Sequence, residues 1–294
     1  MDMEQNWMMT KEQMDNKLKS MNTKVLILRI LTHGLIVIGL LTVPKNFFIS
    51  LLCWLIAPAF GIPLGRIIKK RREAKKEFVY HVAGCVLRDV LGDDVEYNPL
   101  GELKPDKEAA PFSFPIPKDR IWELVGDYHI KATYNGVNFE LGSIYINENE
   151  ANRAWNESSS GCTLFHGPWL ICDFGRKPEC VVSVSTKSYL FSMKKRIVKI
   201  DNEQFSKRFC VNANDPREAF AILTPQMMET ISAVANKSGG TVYISFMPDG
   251  KTHIGIDTQC GLFDGKKCRN TEELRQKFLG ELRRLTDIID MLNV

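Results

Sequence analysis

The residue types in this chain that most readily do chemistry are a few cysteines and histidines. Cys162 and His166 are the types of a thiol nucleophile and its general base. The run from Cys162 to Phe174 reads as a strand, however. Residues four apart on one strand share a face at a separation of about 13 Å, whereas direct proton transfer needs roughly 3 Å. The pair is no catalytic couple unless that strand is broken. Cys172 and Cys180 flank a Gly175-Arg176-Lys177-Pro178 turn and can face each other across it. Structural zinc takes four ligands, and no nearby His or Cys pair completes the set, so two packed thiols are expected and no metal site. His33 lies in an apolar run, where titratable groups often serve transport. One helical hairpin cannot enclose a pore without oligomerising, and an interfacial histidine is the simpler account. No glycine-rich phosphate loop follows a strand in the required pattern. Trp122, Phe139, Phe165, Trp169, Phe174, Tyr189 and Phe191 sit on or beside strands and read as core, not as a stacking platform. The residues thus nominate no catalytic group, no cofactor site and no metal ligand, and they do not favour an enzyme.

The elements that position everything else begin with an apolar hairpin, Val25 to Ile68. VLILRILTHGLIVIGLLTV and FFISLLCWLIAPAFGIPL flank a Pro44-Lys45-Asn46 turn. Each run holds about 18 residues, enough to cross a hydrocarbon core of about 30 Å. The second run has no charge, and as a helix it satisfies its peptide groups internally, as lipid requires. The first carries Arg29, whose stem can snorkel to the headgroups. Pro58, Gly61, Pro63 and Gly65 should kink or loosen the end of the second run. A hairpin dipping into a single leaflet is the alternative to a double pass.

Orientation follows from the flanks. Lys11, Lys17, Lys19 and Lys24 precede the hairpin; Arg66, Lys69, Lys70, Arg71, Arg72, Lys75 and Lys76 follow it; the loop has only Lys45. The positive-inside rule places both ends in the cytoplasm. A cleaved signal peptide is not expected, because the apolar run starts late and no small-residue cleavage site follows it. Arg66, Lys69, Lys70, Arg71 and Arg72 are the expected membrane-surface contacts, drawn to anionic headgroups. The net charge of +4 is modest and does not indicate nucleic-acid binding. Eight dispersed cysteines without a CxxC pair read as free thiols in a reducing compartment.

The remaining chain divides as follows. Residues 1–24 form an amphipathic helix carrying Met3, Trp7, Met14, Leu18 and Met21 on one face, either a lead-in lying on the headgroups or packing on the soluble domain, or a short dimerising coil. Residues 25–68 are the transmembrane hairpin. Residues 69–95 continue as a basic helix with Phe78, Val82, Cys85, Val86 and Leu91 as its stripe, stopped by Gly92-Asp93-Asp94. Residues 96–122 form a proline-rich connector laid over the domain. Residues 123–294 form an α+β domain. Within it, Tyr128 to Tyr134 and Val137 to Ile146 flank Asn135-Gly136, a strong hairpin signal. A Ser-rich loop at Glu157 to Gly161 precedes the strand at Cys162. That strand turns into another at Cys180 to Ser185, with further strands at Arg196 to Ile200 and Phe205 to Val211. Asp215-Pro216-Arg217-Glu218 and Thr224-Pro225 open two helices. Thr241 to Met247 and Thr252 to Asp257 pair through Pro248-Asp249-Gly250. Asn270-Thr271-Glu272-Glu273 caps a last helix whose Leu274, Phe278, Leu282, Leu285, Ile289 and Leu292 form a stripe for the sheet or for an oligomer seam. The β-rich middle fits a half-open barrel with a helix across its mouth.

KIDNEQFSKRFCVNANDPREAFAILTPQMMETI and GGTVYISFMPDGKTHIGIDT resemble DUF3137, a bacterial membrane-protein family of unknown function. GDYHIKATYNGVNFELGSIYI and TLFHGPWLICDFGRKPECVVSV are similar to its middle portion. The most specific pattern is Phe205, Asp215, Ala219, Leu223, Thr224 and Pro225. Each has a structural explanation: a buried aromatic, helix caps and a helix face. The resemblance implies twin membrane spans and a membrane location, and it supplies no catalytic or ligand residue.

The fold expected is therefore α+β, a two-helix transmembrane hairpin followed by a cytoplasmic β-rich domain with C-terminal helices. The expected role is a binding, scaffold or sensor module at the bacterial inner membrane. It would sit there as a multi-pass protein with both termini cytoplasmic. Its partners would be the lipid bilayer and a protein or a second copy, with no cofactor and no nucleic acid. The alternatives are a membrane-tethered enzyme, and a subunit of an oligomeric transport or stress assembly with His33 and Arg29 turned to a shared axis.

Overall fold

A computed structural model describes residues 2–43, 47–106, 109, 120–150, 162–187, 197–265, 268 and 270–293. The Pro44-Lys45-Asn46 turn, the prolines at 111, 115 and 117, the Glu157 to Gly161 loop, Tyr189, Phe191 and Arg196 lie outside the described residues, as do the side chains of Met3, Trp7, Lys11, Trp122 and Cys162. The chain has two compact units, Met1–Ala83 with Gly265–Gln276, and Gly84–Asp264 with Lys277–Val294.

The first unit is built on α1 (Asp2–Thr42) and the Phe47–Ala83 part of α2 (Phe47–Leu91). At 1.5 Å per residue each full helix is about 60 to 70 Å long, roughly twice a hydrocarbon core. α1 takes in both the amphipathic segment and the first apolar run. α2 passes through Pro58 and Pro63 without a break and ends where Gly92, at φ +91°, donates its N–H to the Arg88 carbonyl at 2.9 Å. Polar side chains in the first apolar run bond to their own helix: Thr32 to the Leu28 carbonyl at 2.7 Å, and His33 Nδ1 to the Arg29 carbonyl at 2.8 Å. Gly39 admits the Trp54 indole, since a Cβ there would stand 2.6 Å from the ring. Further along, Lys17 Nζ lies 5.9 Å from the Phe78 ring centroid. Among the described residues Val25, Ala57, Ala74, Phe78, Val82, Ala83, Val86 and Leu87 are the buried apolar residues of the pair. The Thr271 hydroxyl donates to Asp15, and Asn270 Oδ1 accepts the Glu273 N–H at 2.8 Å, capping the last helix.

The second unit is an antiparallel sheet with helices. Its strands are β1 (Glu96–Asn98), β2 (Arg120–Tyr134), β3 (Val137–Glu150), β4 (Cys162–Asp173), β5 (Val182–Thr186), β6 (Ile197–Val198), β7 (Phe209–Ala213), β8 (Thr241–Phe246) and β9 (Lys251–Asp257). Its helices are α3 (Glu203–Arg208), α4 (Pro216–Ile222), α5 (Pro225–Ser238) and the Lys277–Leu292 part of α6 (Thr271–Leu292). The strand order is β1-β2-β3-β4-β9-β8-β5-β7-β6. Asn135 (φ +47°) and Gly136 (φ +80°) make the β2–β3 turn, as their types require.

Among the described residues the sheet has β1 and β6 as its edges. Two expectations are corrected. Phe205 to Val211 is not one strand. Asn202 caps α3 by accepting the Phe205 N–H at 3.0 Å, and extended backbone resumes only at Phe209. Nor do β4 and β5 form a hairpin across the Gly175 turn, because β9 and β8 lie between them.

One sheet face carries Phe139, Leu141, Leu170, Ile254, Ile244 and Val184, all buried. The α6 stripe of Phe278, Leu282, Leu285, Ile289 and Leu292 is buried too. On the other face, Ile144, Ile146, Phe165, Trp169 and Tyr243 form a core with Leu103 and Ala109 of the connector. Glycine makes two of these approaches. Leu103 lies over Gly142, where a Cβ would be 2.7 Å from the Leu103 Cβ, and Trp169 lies over Gly255, where a Cβ would be 2.3 Å from the ring.

Candidate functional site

The five cations expected at a membrane surface, Arg66, Lys69, Lys70, Arg71 and Arg72, lie on consecutive turns of α2 just past its apolar run. None forms an ion pair among the described residues. Lys17, Lys19 and Lys24 on α1 are exposed as well. Next to these cations stand the apolar windows of both helices, of which only 11% and 17% of residues are buried. Phe48 is 80% exposed, and Leu41 and Leu55 are each 69% exposed. A core helix of a water-soluble domain buries such residues. Both helices are long and apolar enough to cross a membrane.

The chemistry-bearing residues of the second unit are not brought together. β4 spans Cys162 to Asp173 with one register shift against β3, at Leu164 between Cys162 and His166, and the two stay four residues apart on one strand. His166 turns its ring edge to Tyr145, centroid to centroid 5.2 Å, and its backbone N–H donates to Asp257 Oδ1 at 3.2 Å. Cys172 is buried, and burial pushes its thiol well up, which keeps it protonated. Cys180 precedes β5, two strands removed from β4. Among the described residues no group of His, Cys, Asp and Glu is arranged to hold a metal ion.

A row the sequence reading did not assemble crosses all nine strands. Register places Glu96, Lys131, Glu140, Ile171, His253, Ser245, Ser183, Asn212 and Ile197 side by side. Its first three members alternate in charge and are accessible, and Glu140 also bonds His129 Nε2 at 2.6 Å. The middle members are buried. Ser183 and Ser245 share a hydroxyl hydrogen bond of 2.9 Å, and His253 Nδ1 accepts the Trp169 indole N–H at 3.3 Å. Burial lowers His253 to about 4, outweighing the opposite pull of Asp106 and Asp249, so the ring is neutral at ordinary pH. Beside the charged end opens a cleft of about 440 Å³. Asp94, Glu96, Lys131, Glu140, Asp173 and Lys251 line it, with Leu91, Phe139 and Ile171 as its apolar part. The turns carried a partial signal for this row. Asn135-Gly136 pairs Lys131 with Glu140, and the Asp249-Gly250 turn pairs Ser245 with His253. The joins between Ile171 and His253 and between Ser183 and Ser245 are long-range, and no local signal specifies them.

A second cleft, of about 430 Å³, is lined by Arg176, Lys177, Glu218, Thr224 and Met227. Here Glu218 accepts the Glu179 N–H at 2.9 Å, while Arg176 donates to the Leu292 carbonyl at 2.9 Å. Both contacts fasten the loop after β4 to helices.

The buried middle of the row and the second cleft fall within one stretch that known proteins share. Residues 163–294 match the DUF3137 family, described as a protein of unknown function. The DUF3137 match opens in β4 and runs through α6, so it takes in β5 to β9 and α3 to α6, while α1, α2 and β1 to β3 precede it. Comparison with curated proteins and with solved structures finds no match. The specific pattern within the DUF3137 stretch is structural, as expected. Phe205 is buried and stacks on Phe209 at 4.6 Å; Asp215 accepts the Arg217 N–H at 2.9 Å; Ala219 and Leu223 are buried; Thr224 accepts the Met227 N–H at 3.2 Å. Hydrogen bonds from the Arg217 side chain and backbone hold the Asp215 carboxyl below its ordinary range.

Proposed function

We propose that the chain is a membrane-anchored binding module, a scaffold or sensor whose sheet unit faces the cytoplasm of a bacterial cell from the inner membrane. The observation that carries this reading is the exposure of the apolar residues on α1 and α2. Leaving Leu41, Phe48 and Leu55 in water forfeits about 1.5 to 3 kcal/mol for each side chain that lipid would cover. The cations on one side of the apolar runs support the cytoplasmic orientation. The cleft beside Lys131 and Glu140, with charges of both signs around an apolar strip, suits a polar partner better than a small apolar ligand.

Alkaline extraction of membranes from cells expressing the full chain tests the anchor, and a reporter joined after Val294 tests the side. The chain is expected to stay with the membrane fraction and the reporter to work in the cytoplasm. Free solubility without detergent, or an external reporter, overturns the proposal. A photo-crosslinker at Lys131 is expected to capture a discrete partner band that Glu140→Lys abolishes.

A further inference from the structure

We infer that α1 and α2 together form a basic collar that selects anionic phospholipid, with the phosphate headgroups of one leaflet as its occupant. The inference rests on the membrane-anchored reading and adds the lipid class and the residues that recognise it. Gly39 against Trp54 sets the level at which the two helices meet. Fifteen residues from that contact, about 22 Å at 1.5 Å per residue, lie Lys24 on α1 and Lys69 on α2. Lys17 above Phe78 shows the same pairing still in force farther on, 22 residues from Gly39 on one helix and 24 from Trp54 on the other. Lys24 of α1 therefore shares its level with Arg66, Lys69 and Lys70 of α2, and Lys19 follows within two turns.

Charge makes this level distinctive. From Asn16 to Thr42 α1 holds Lys17, Lys19, Lys24 and Arg29 and no acidic residue. From Phe47 to Arg72 α2 holds Arg66, Lys69, Lys70, Arg71 and Arg72 and again none, the first acid being Glu73. A set of cations contributed by two helices, without an ion pair among the described residues and at the rim of an apolar belt, complements a plane of phosphates. Arginine can bridge two phosphate oxygens, while lysine acts as a point charge. A leaflet rich in such lipids would gather around the collar, and the protein would concentrate where that lipid is abundant.

The test uses the full-length chain in nanodiscs of mixed phosphatidylglycerol and phosphatidylcholine. The readout is energy transfer from Trp54 and its neighbours to trace amounts of each labelled lipid. The expected result is an enrichment of phosphatidylglycerol of at least about threefold, reduced by 0.5 M salt and abolished in Lys24→Gln/Arg66→Gln/Lys69→Gln/Lys70→Gln. Equal transfer from both lipids, or an enrichment that the fourfold variant retains, overturns the collar while leaving the anchor standing. A chain that never enters the disc overturns the anchor as well. Loss of lipid enrichment on adding oligonucleotide or polyphosphate at equal charge shows a soluble polyanion to be the occupant, and also overturns the inference.

Discussion

α2 and α6 put the same residues to opposite use. Leu55 of α2 is 69% exposed, whereas Leu282 of α6 is fully buried. Both helices are long, and both are rich in leucine and isoleucine. On α6 the apolar positions recur on one side, with Arg283, Arg284 and Asp290 on the other, and that stripe is buried within the protein. On the first half of α2 they recur all round, with no polar side to give to water. The number of apolar residues is a poor guide to destination; their distribution around the axis decides whether a helix is buried by protein or by lipid.

Four measurements break or sharpen this contrast. The largest effect belongs to the buried stripe: Phe278→Ala should destabilise the sheet unit by about 3 to 5 kcal/mol, seen in chemical denaturation of the detergent-solubilised chain. Charge on the exposed stripe should act elsewhere. Leu55→Arg should lower membrane insertion by about 2.5 to 3.5 kcal/mol in a glycosylation-mapping assay, while leaving the denaturation midpoint of the sheet unit in place.

The pH dependence of the sheet unit comes next. His253 titrates near 4 in the folded chain and near 6.5 unfolded, so between these values the unfolded state binds more protons. Stability is then complete above about pH 6.5 and falls by about 3 kcal/mol as pH drops to about 4, below which this group takes away no more. His253→Gln, which keeps an acceptor for the Trp169 indole, should flatten that part of the profile. A smaller effect is expected from Thr224→Ala. Losing the cap on the Met227 N–H should cost about 1 kcal/mol, with α5 amides exchanging faster than those of α6.

Much of this fold was legible from local chemistry. The Asn135-Gly136 hairpin, the caps at Asp215, Thr224 and Asn270, the helix stop at Gly92 and the stripe from Phe278 to Leu292 all rest on residues close in sequence. α3 escaped notice because its single turn offers too short a period to detect, and Phe205, Phe209 and Val211 alternate as a strand would. The placement of β8 and β9 between β4 and β5 was out of reach, since Gly175 to Pro178 reads as a hairpin turn whatever follows. The charged end of the nine-strand row was half visible through its turn, but the cleft beside it depends on Asp173 and Lys251 meeting from distant strands. The basic run on α2 and the lysines of α1 were both evident in the sequence; the Gly39 contact with Trp54 adds the level at which they meet.

That strand order also sets a schedule for biosynthesis. β5 leaves the ribosome soon after β4, yet the strands that must come between them follow on the order of 50 residues later, several seconds at about 5 to 20 residues per second. During that interval both apolar helices are already available for insertion while β4 and β5 each show an unpaired edge. In the membrane-anchored reading proposed above, the nascent chain is moored first and zipped shut last, and a chaperone guarding those edges has its work at the bilayer, not in bulk solvent.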